Sequence, residues 1–518
     1  MGGTGGDTLV KSLVRGGVDV CFANPGTSEM HFTGALDREP RMRCILGLFE
    51  GVVSGAADGY YRIARRPAAT LLHLGPGLGN ALANLHNAGK GRAGIVNIVG
   101  EHATYHRGLE SPLRSRLEDI AASISDHVLL PHSPDDLARD AARAVAFASS
   151  TPGQIATLIL PADLSWLPGA ALADTLPLSP VPLPDAAAIL AAAEALSRGP
   201  SAMLFLGGDA VRGRSLELAG RIAAHTGCRL LSEGYNQRHE RGAGRVRVDR
   251  LPTTPVSAAV ARLADVETLV LAGSADPIAF FAYPDMPSRI APDGCKVLEL
   301  VPVGNPTEQA LEMLCEALGA MATPPAPVMS RTAVAPVGGA LTPETIGEVL
   351  AALLPEQAIV VDESVTTGRG FAAPTATAAP HDWLSIMGGS IGFALPCAIG
   401  AAVAAPDRQV IALEGDGSGM YTPQSLWTMA REGLKIAIIV FANRRYAILE
   451  NEFRNTGSGV PGPRARAMLE IGAPDIDWVK LASAQGVEAG RADDVASFAS
   501  ELARAIDCAG PYLIQVDL

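Results

Sequence analysis

Gln409–Glu452 reads QVIALEGDGSGMYTPQSLWTMAREGLKIAIIVFANRRYAILENE, and the order of residue types in it decides the fold. An apolar run, Gln409–Leu413, turns through Glu414-Gly415-Asp416-Gly417-Ser418. A helical pattern follows at Thr422–Glu432, and a second apolar run, Ile436–Phe441, ends at Ala442-Asn443. Two short apolar runs separated by a helical stretch predict parallel strands joined by a crossover helix. In open parallel sheets, ligands bind beyond the carboxyl ends of the strands, where both Asp416 and Asn443 fall. Gly415 and Gly417 allow a tight turn whose N–H groups face an anion, and Ser418 with the following helix start adds donors. Asp416 offers a charged oxygen and Asn443 a neutral one, a pair suited to Mg²⁺ that also carries phosphate oxygens and water. An ordinary strand–turn–helix with Asp in the turn is the alternative; the Asn at the second strand end favours the metal site. The loop lacks the spaced carboxylates and closing Glu of a calcium EF-hand.

The pattern repeats outward along the chain. Val18–Phe22, Ala69–Leu74 and Ile95–Val99 are strand candidates, with a helix at Glu50–Ala64. Further on, Ala202–Leu206, Thr268–Leu271 and Lys296–Leu300, then Ala358–Val361 and Tyr512–Val516, are similar apolar runs. Proline-rich stretches at 163–185 and 322–343 separate the groups, since proline stiffens an extended path and removes donors. The reading is three α/β domains, 1–165, 185–322 and 340–518, each a parallel sheet with helices on both faces.

With 518 residues, the chain is too long for one core, and its net charge of −13 with no basic run argues against a nucleic-acid partner. The seven cysteines are scattered without a C-x-x-C pair, so a disulfide framework or zinc site is not expected and a reducing cytoplasm fits. No charged-then-apolar leader opens the sequence and no apolar stretch predicts a membrane span.

The run GDGSGMY…FANRRY and the preceding GGSIGFALPCAIGAAVAAPDRQVIALEGDGS resemble the thiamine-diphosphate enzymes of the benzoylformate decarboxylase and acetolactate synthase group. The resemblance extends over nearly the whole chain and is weakest in the middle. It implies a pyrimidine-binding first domain, a middle domain and a diphosphate-binding third domain. Thiamine diphosphate and Mg²⁺ are the implied cofactors, with Asp416, Asn443 and the backbone oxygen of Arg445 as metal ligands. It further implies that Gly389 accepts from the aminopyrimidine and Ile391 supports the bent cofactor. Thr366 and Tyr421 match diphosphate contacts; a polar cap and a core tyrosine are their structural alternatives.

Such chemistry needs a carboxyl group on the pyrimidine ring nitrogen, to assist removal of the thiazolium proton. Glu50 is a single acid between apolar runs, ILGLF and GVV, at the head of a helical pattern. A helix-start acid is the plain reading. FEGVVSGAADGYYRIARRPA is similar to the family's glutamate segment, which makes Glu50 the activating acid. The loop NPGTSE puts Thr27 where relatives carry an active-site serine, although an N-cap is the alternative. His73, at the end of ATLLHL, matches a catalytic histidine suited to proton transfer. His102 and His106 rank below it as cavity-lining candidates.

The substrate side departs from the group. Ala279-Phe280-Phe281-Ala282-Tyr283 lacks the middle-domain histidine of benzoylformate decarboxylase, and GLESPLRSRLEDI lacks the A-F-Q-E of acetolactate synthases. Gly207-Gly208 resembles the start of the middle domain without requiring FAD. The resemblance implies a lyase that decarboxylates a 2-oxo acid, with acetolactate synthase-type carboligation as second reading and a catalytically silent cofactor-binding subunit as third. It also implies a homodimer or homotetramer with sites at subunit interfaces.

Overall fold

The computed structural model describes residues 3–178 and 180–518. Met1 and Gly2 of the 1–165 interval, and Ser179 of the first proline-rich stretch, lie outside the described residues. The first sheet contains β1 (Val20–Ala23), β2 (Arg43–Leu46), β3 (Ala68–Leu72), β4 (Ile95–Glu101), β5 (His127–Leu129) and β6 (Ile155–Pro161). Their order across the sheet is β2-β1-β3-β4-β6-β5, all parallel. The middle segment supplies β7 (Ala202–Leu206), β8 (Arg229–Ser232), β9 (His239–Arg241), β10 (Asp249–Arg250), β11 (Thr268–Ala272) and β12 (Lys296–Val301). Five of these form a parallel sheet in the order β10-β8-β7-β11-β12.

β9 does not join its neighbours in sequence. It pairs antiparallel with the edge of the third sheet, Trp383 opposite His239 and His381 opposite Arg241. That sheet adds β13 (Ala358–Glu363), β14 (His381–Ser385), β15 (Val410–Gly415), β16 (Ile436–Ala442), β17 (Glu488–Ala492) and β18 (Tyr512–Asp517), in the order β17-β18-β16-β15-β13-β14-β9. The three α/β sheets expected from the apolar runs are all present. β4, β6, β7, β11 and β16 are buried along their whole length, as strands covered on both faces must be.

Small residues join the first and third parts. Helices Glu50–Ala64 and Ala394–Ala404 cross so closely that a methyl on Gly59 would lie 2.0 Å from the Cys397 carbonyl oxygen. One on Gly400 would lie 1.9 Å from the Ala56 carbonyl oxygen. The buried Asp58–Arg62 pair (2.7 Å) sits in the same contact, and Arg62 also donates to the Ser385 carbonyl at 2.7 Å. The apolar cluster containing Val52, Ala56, Leu395 and Ile399 is therefore continuous across both sheets. It anchors the two helices whose N-termini face the candidate site.

Candidate active site

β15 and β16 lie side by side with Gly415 opposite Phe441. Asp416 and Asn443 therefore emerge together at the carboxyl edge of the sheet. The two loops touch through the residue after Asn443: the Arg444 N–H donates to Asp416 Oδ2 at 2.6 Å, and the Gly417 N–H donates to Oδ1 at 2.9 Å. Burial pushes the Asp416 carboxyl up, opposed by these N–H groups. Asn443 Oδ1 accepts from the Arg445 N–H at 3.1 Å, which turns the amide oxygen into the same loop. Among the described residues, no three or more His, Cys, Asp or Glu side chains cluster as a metal site. One carboxylate beside an amide and backbone oxygens fits Mg²⁺ completed by phosphate oxygens.

Beneath this edge, Glu363 at the end of β13 accepts N–H groups from Gly392, Phe393 and Ala394 at 2.8, 2.7 and 2.7 Å. Its carboxylate fixes the entrance to helix Ala394–Ala404, as charge at a helix N-terminus does. Burial pushes it up to about 7, and burial together with the Glu363 charge pushes the adjacent Glu414 well above the usual carboxylate range. Ser418 donates to Glu414 and so lies under the turn, bonded within the protein.

Gly389 has φ +72°, and a Cβ there would meet Phe280 Cζ at 2.5 Å. Gly389, Ile391 and Tyr421 line a cavity of about 880 Å³ between the middle and third parts. Thr366 heads a short turn, Thr367–Gly370, without capping it through its side chain. It is not among the residues lining the cavity, whereas Ser364 and Val365 are.

Glu50 begins its helix, but its surroundings are not the apolar pocket that its sequence neighbours suggest. Asn24 donates to Oε1 at 3.0 Å and Asn80 to Oε2 at 2.9 Å. Both amides lie at the carboxyl edge of the first sheet, Asn24 on the loop after β1 and Asn80 in the helix Leu74–Lys90 that follows β3. His73 lies in the same half-site: a methyl on Gly77 would touch Glu50 Oε1 at 3.2 Å and His73 Cβ at 3.5 Å.

Sequence reasoning missed Glu29. It is fully buried, and His73 Nδ1 lies 2.9 Å from its Oε2. Gly26 N–H and Ser28 Oγ–H donate to it at 2.7 and 2.6 Å. A carboxylate at Nδ1 requires that nitrogen to carry the proton, which leaves Nε2 as the acceptor in the neutral ring. The Gly26-to-Glu29 spacing is that of a helix-start acid and was the available signal. Thr27 is exposed beside this group and caps no helix: Gly26 and Glu29 occupy the two cap positions. The His102 and His106 rings lie 5.2 Å apart, tilted at 49°, with His102 Nε2 bound to Ser111 Oγ at 2.9 Å.

Residues 3–124 match the thiamine pyrophosphate enzyme N-terminal TPP binding domain, and residues 362–516 match the C-terminal TPP binding domain. A Mycobacterium tuberculosis protein named as acetolactate synthase large subunit IlvX is 48% identical, over 99% of this chain and 98% of that one. The chain belongs to the thiamine pyrophosphate enzyme family. Benzoylformate decarboxylase of Pseudomonas aeruginosa is 30% identical over 97% of each chain. The solved thiamine diphosphate-dependent 4-hydroxybenzoylformate decarboxylase of Rhodococcus jostii shares the fold, with TM-score 0.82, 24% identity and 99% coverage of both chains. The resemblance read from GDGSGMY…FANRRY is thus borne out at the level of family and fold, and the two TPP binding domains carry the two half-sites described above.

No helix among the described residues is long and apolar enough to cross a membrane.

Proposed function

We propose that this family member is a Mg²⁺-dependent C–C lyase that decarboxylates a 2-oxo acid. The observation that carries the reading is the pairing of Glu50 with a carboxylate-oriented histidine in one half-site. When bound, thiamine diphosphate supplies the carbon that adds to the keto group and holds the negative charge left as carbon dioxide departs. Asp416, Asn443 and the Arg445 carbonyl would hold Mg²⁺ and through it the diphosphate. The Gly389 carbonyl and Ile391 would support the aminopyrimidine and the bent cofactor. Glu50, oriented by Asn24 and Asn80, exchanges a proton with the pyrimidine nitrogen. His73, oriented by Glu29, moves a proton at Nε2, with Thr27 at the mouth of the same loop.

The two half-sites argue for a shared site between chains. The cavity touching Gly389, Ile391 and Tyr421 is lined by residues 234–452 and includes neither Glu50 nor His73. Leu48 near one half and Met420, Tyr421 and Leu449 near the other are exposed apolar groups that a partner would cover. A homodimer with two such sites, or a tetramer built from it, completes the cofactor contacts.

A panel of 2-oxo acids with thiamine diphosphate and Mg²⁺, scoring carbon dioxide and organic product together, tests the reading. Aldehyde with stoichiometric carbon dioxide supports it. Condensation products would support acetolactate synthase-type carboligation, which the 48% identity to the IlvX protein favours. Cofactor binding without turnover of any 2-oxo acid would make the chain a silent cofactor-binding subunit. Light scattering that returns a monomer at assay concentration would remove the shared site.

A further inference from the structure

β9 carries a charge pattern that the proposed reaction does not use. Strand side chains alternate, so His239 and Arg241 face one side and Arg238 and Glu240 the other. The second pair is compensated: Arg238 lies 2.9 Å from Asp382, and Arg245 lies 3.3 Å from Glu240. The first pair faces the large cavity and is not. Arg241 donates to the Ala372 carbonyl and stacks over Trp383 at 5.1 Å, yet its second terminal nitrogen, Nη1, has no partner. His239 Nδ1 is also unpartnered.

Two further arginines line the same cavity without a carboxylate. Arg250 reaches Ser385 Oγ at 3.4 Å, and Arg369 donates to Thr254 Oγ1 at 2.7 Å. The carboxylates of the wall are engaged elsewhere. Asp249 is held by Arg247 and Arg262, Asp362 by Trp383 Nε1 and Ser364, and Glu363 by three backbone N–H groups. Glu452, at the far rim, accepts from Asn455 at 3.0 Å. Burial and the neighbouring Arg250 charge hold the Arg241 guanidinium down to about 9. A buried guanidinium nitrogen without a partner is costly, and a guanidinium fork matches a planar or tetrahedral oxyanion.

We propose that His239, Arg241, Arg250 and Arg369 form a subsite for a second oxyanion, a carboxylate or phosphate at the far end of a ligand whose near end lies beside the cofactor that Gly389 and Ile391 would support. Tyr235, Phe280 and Phe281, packed edge-on at 6.3 and 4.8 Å, line the cavity as well and suit an apolar spacer. Resting on the reaction proposed above, this makes the substrate a 2-oxo acid with an apolar middle and a second acidic terminus.

The test uses protein loaded with thiamine diphosphate and Mg²⁺, titrated calorimetrically with glutarate, 4-phosphonobutyrate and valerate, none of which has a keto group. At least one of the two diacids should bind roughly tenfold tighter than valerate at low salt. The tighter one identifies carboxylate or phosphate as the terminal group. Arg250→Gln and Arg369→Gln should each shrink the preference, and the double variant should abolish it; they are used because Arg241→Gln could disturb the β9–β14 pairing. Equal binding of all three ligands, or a preference that survives the double variant, overturns the subsite. Turnover of 2-oxoadipate against 2-oxohexanoate separates the two proposals. Decarboxylation of both without a diacid advantage in kcat/KM sinks the subsite as a substrate determinant and leaves the reaction standing. Diacid binding without turnover of any 2-oxo acid sinks the reaction and leaves the anion site.

Discussion

Replacing Glu50 with Gln separates the catalytic use of this carboxylate from its structural use. Glu50 accepts one amide hydrogen bond at each oxygen, from Asn24 at 3.0 Å and Asn80 at 2.9 Å. Gln keeps one acceptor and presents an NH2 to the other asparagine, whose amide can flip to accept from it. The structural loss is then the charge assistance of one or two bonds, about 1–2 kcal/mol of stability, or a few degrees in Tm at most. The catalytic loss is larger, because an amide cannot exchange a proton with the pyrimidine nitrogen. General acid–base contributions of roughly 10²–10⁴-fold correspond to about 3–5 kcal/mol of activation free energy. The assay is carbon dioxide release from the best substrate of the panel, alongside cofactor affinity by fluorescence quenching and Tm. Glu50→Gln should bind thiamine diphosphate within about threefold of wild type and lose at least roughly a hundredfold in kcat. Asn80→Ala, which keeps the carboxylate, should destabilise similarly but lose only about tenfold, one weakened orienting bond. If Glu50→Gln retains kcat within a factor of about three, or Asn80→Ala is as inactive as Glu50→Gln, proton exchange at Glu50 is not the operative step.

Other parts of the site give independent expectations. Asp416→Asn loses the charge that meets the metal, so the Mg²⁺ requirement should rise by more than the roughly 10–100-fold that an outer-shell partner costs; a titration unchanged in midpoint removes Asp416 from the metal site. Glu29→Gln should lower kcat about tenfold to hundredfold and flatten its pH profile without moving cofactor affinity; an unchanged profile would make the Glu29–His73 contact structural only. Gly389→Ala places a Cβ against Phe280 at φ +72° and should cost about 1–3 kcal/mol and weaken cofactor binding, with Phe280→Ala restoring the second only in part. Glu233 receives one N–H, from Ala275 at 3.0 Å, and burial pushes it from 4.5 to about 7. A raised acid holds its proton in the folded state, so stability is lost as pH rises from about 4.5 to 7, by about 3 kcal/mol as an upper limit. Glu233→Gln should match wild type in Tm near pH 4 and exceed it near pH 8, and a gap independent of pH would refute the assignment.

β12, read from Lys296–Leu300, is half exposed, but most strands of this fold that are legible in the sequence are buried on both faces. Such strands are written as continuous apolar runs, so β7 falls on Ala202–Leu206 as read, and β15 and β16 differ from the reading only at their ends. β9 is His-Glu-Arg, three polar residues with no strand signal, and it exists because β14 leaves an edge that the middle segment covers. Its pairing is a tertiary event between positions more than a hundred residues apart, which no local pattern records. The site divides in the same way. Asp416 and Asn443 are readable because each follows its own strand end, and strand adjacency alone brings them together. Asn24, Asn80 and Glu29 are not readable as a group, since their convergence on Glu50 and His73 depends on β1 and β3 lying side by side, which brings the loop after one beside the helix after the other. Thr27 shows the reverse failure: resemblance singles it out, while the buried hydrogen bonds of that loop run through Gly26, Ser28 and Glu29.

That division has a chemical consequence. The residues proposed to handle the cofactor lie at the edges of two sheets bound together by the Gly59–Gly400 helix crossing, where a single methyl does not fit. They are therefore held by the rigid core and have little freedom to differ without loss of the fold. Much of the wall opposite belongs to the middle segment, whose Phe280 lies against Gly389. A phenyl ring cannot donate a proton, so Phe280 adds no acid or base beside Gly389; in the proposed reaction His73 moves the proton and the middle segment meets the remainder of the substrate. If the proposed subsite holds the substrate's second acid, with Phe280 supplying an apolar surface along the same cavity, selection there would act on the far end of the molecule more than on its keto acid. Two enzymes of this family could therefore share Glu50, Asp416 and Asn443 and still act on different acids, because the walls that choose between them are built from separate parts of the chain.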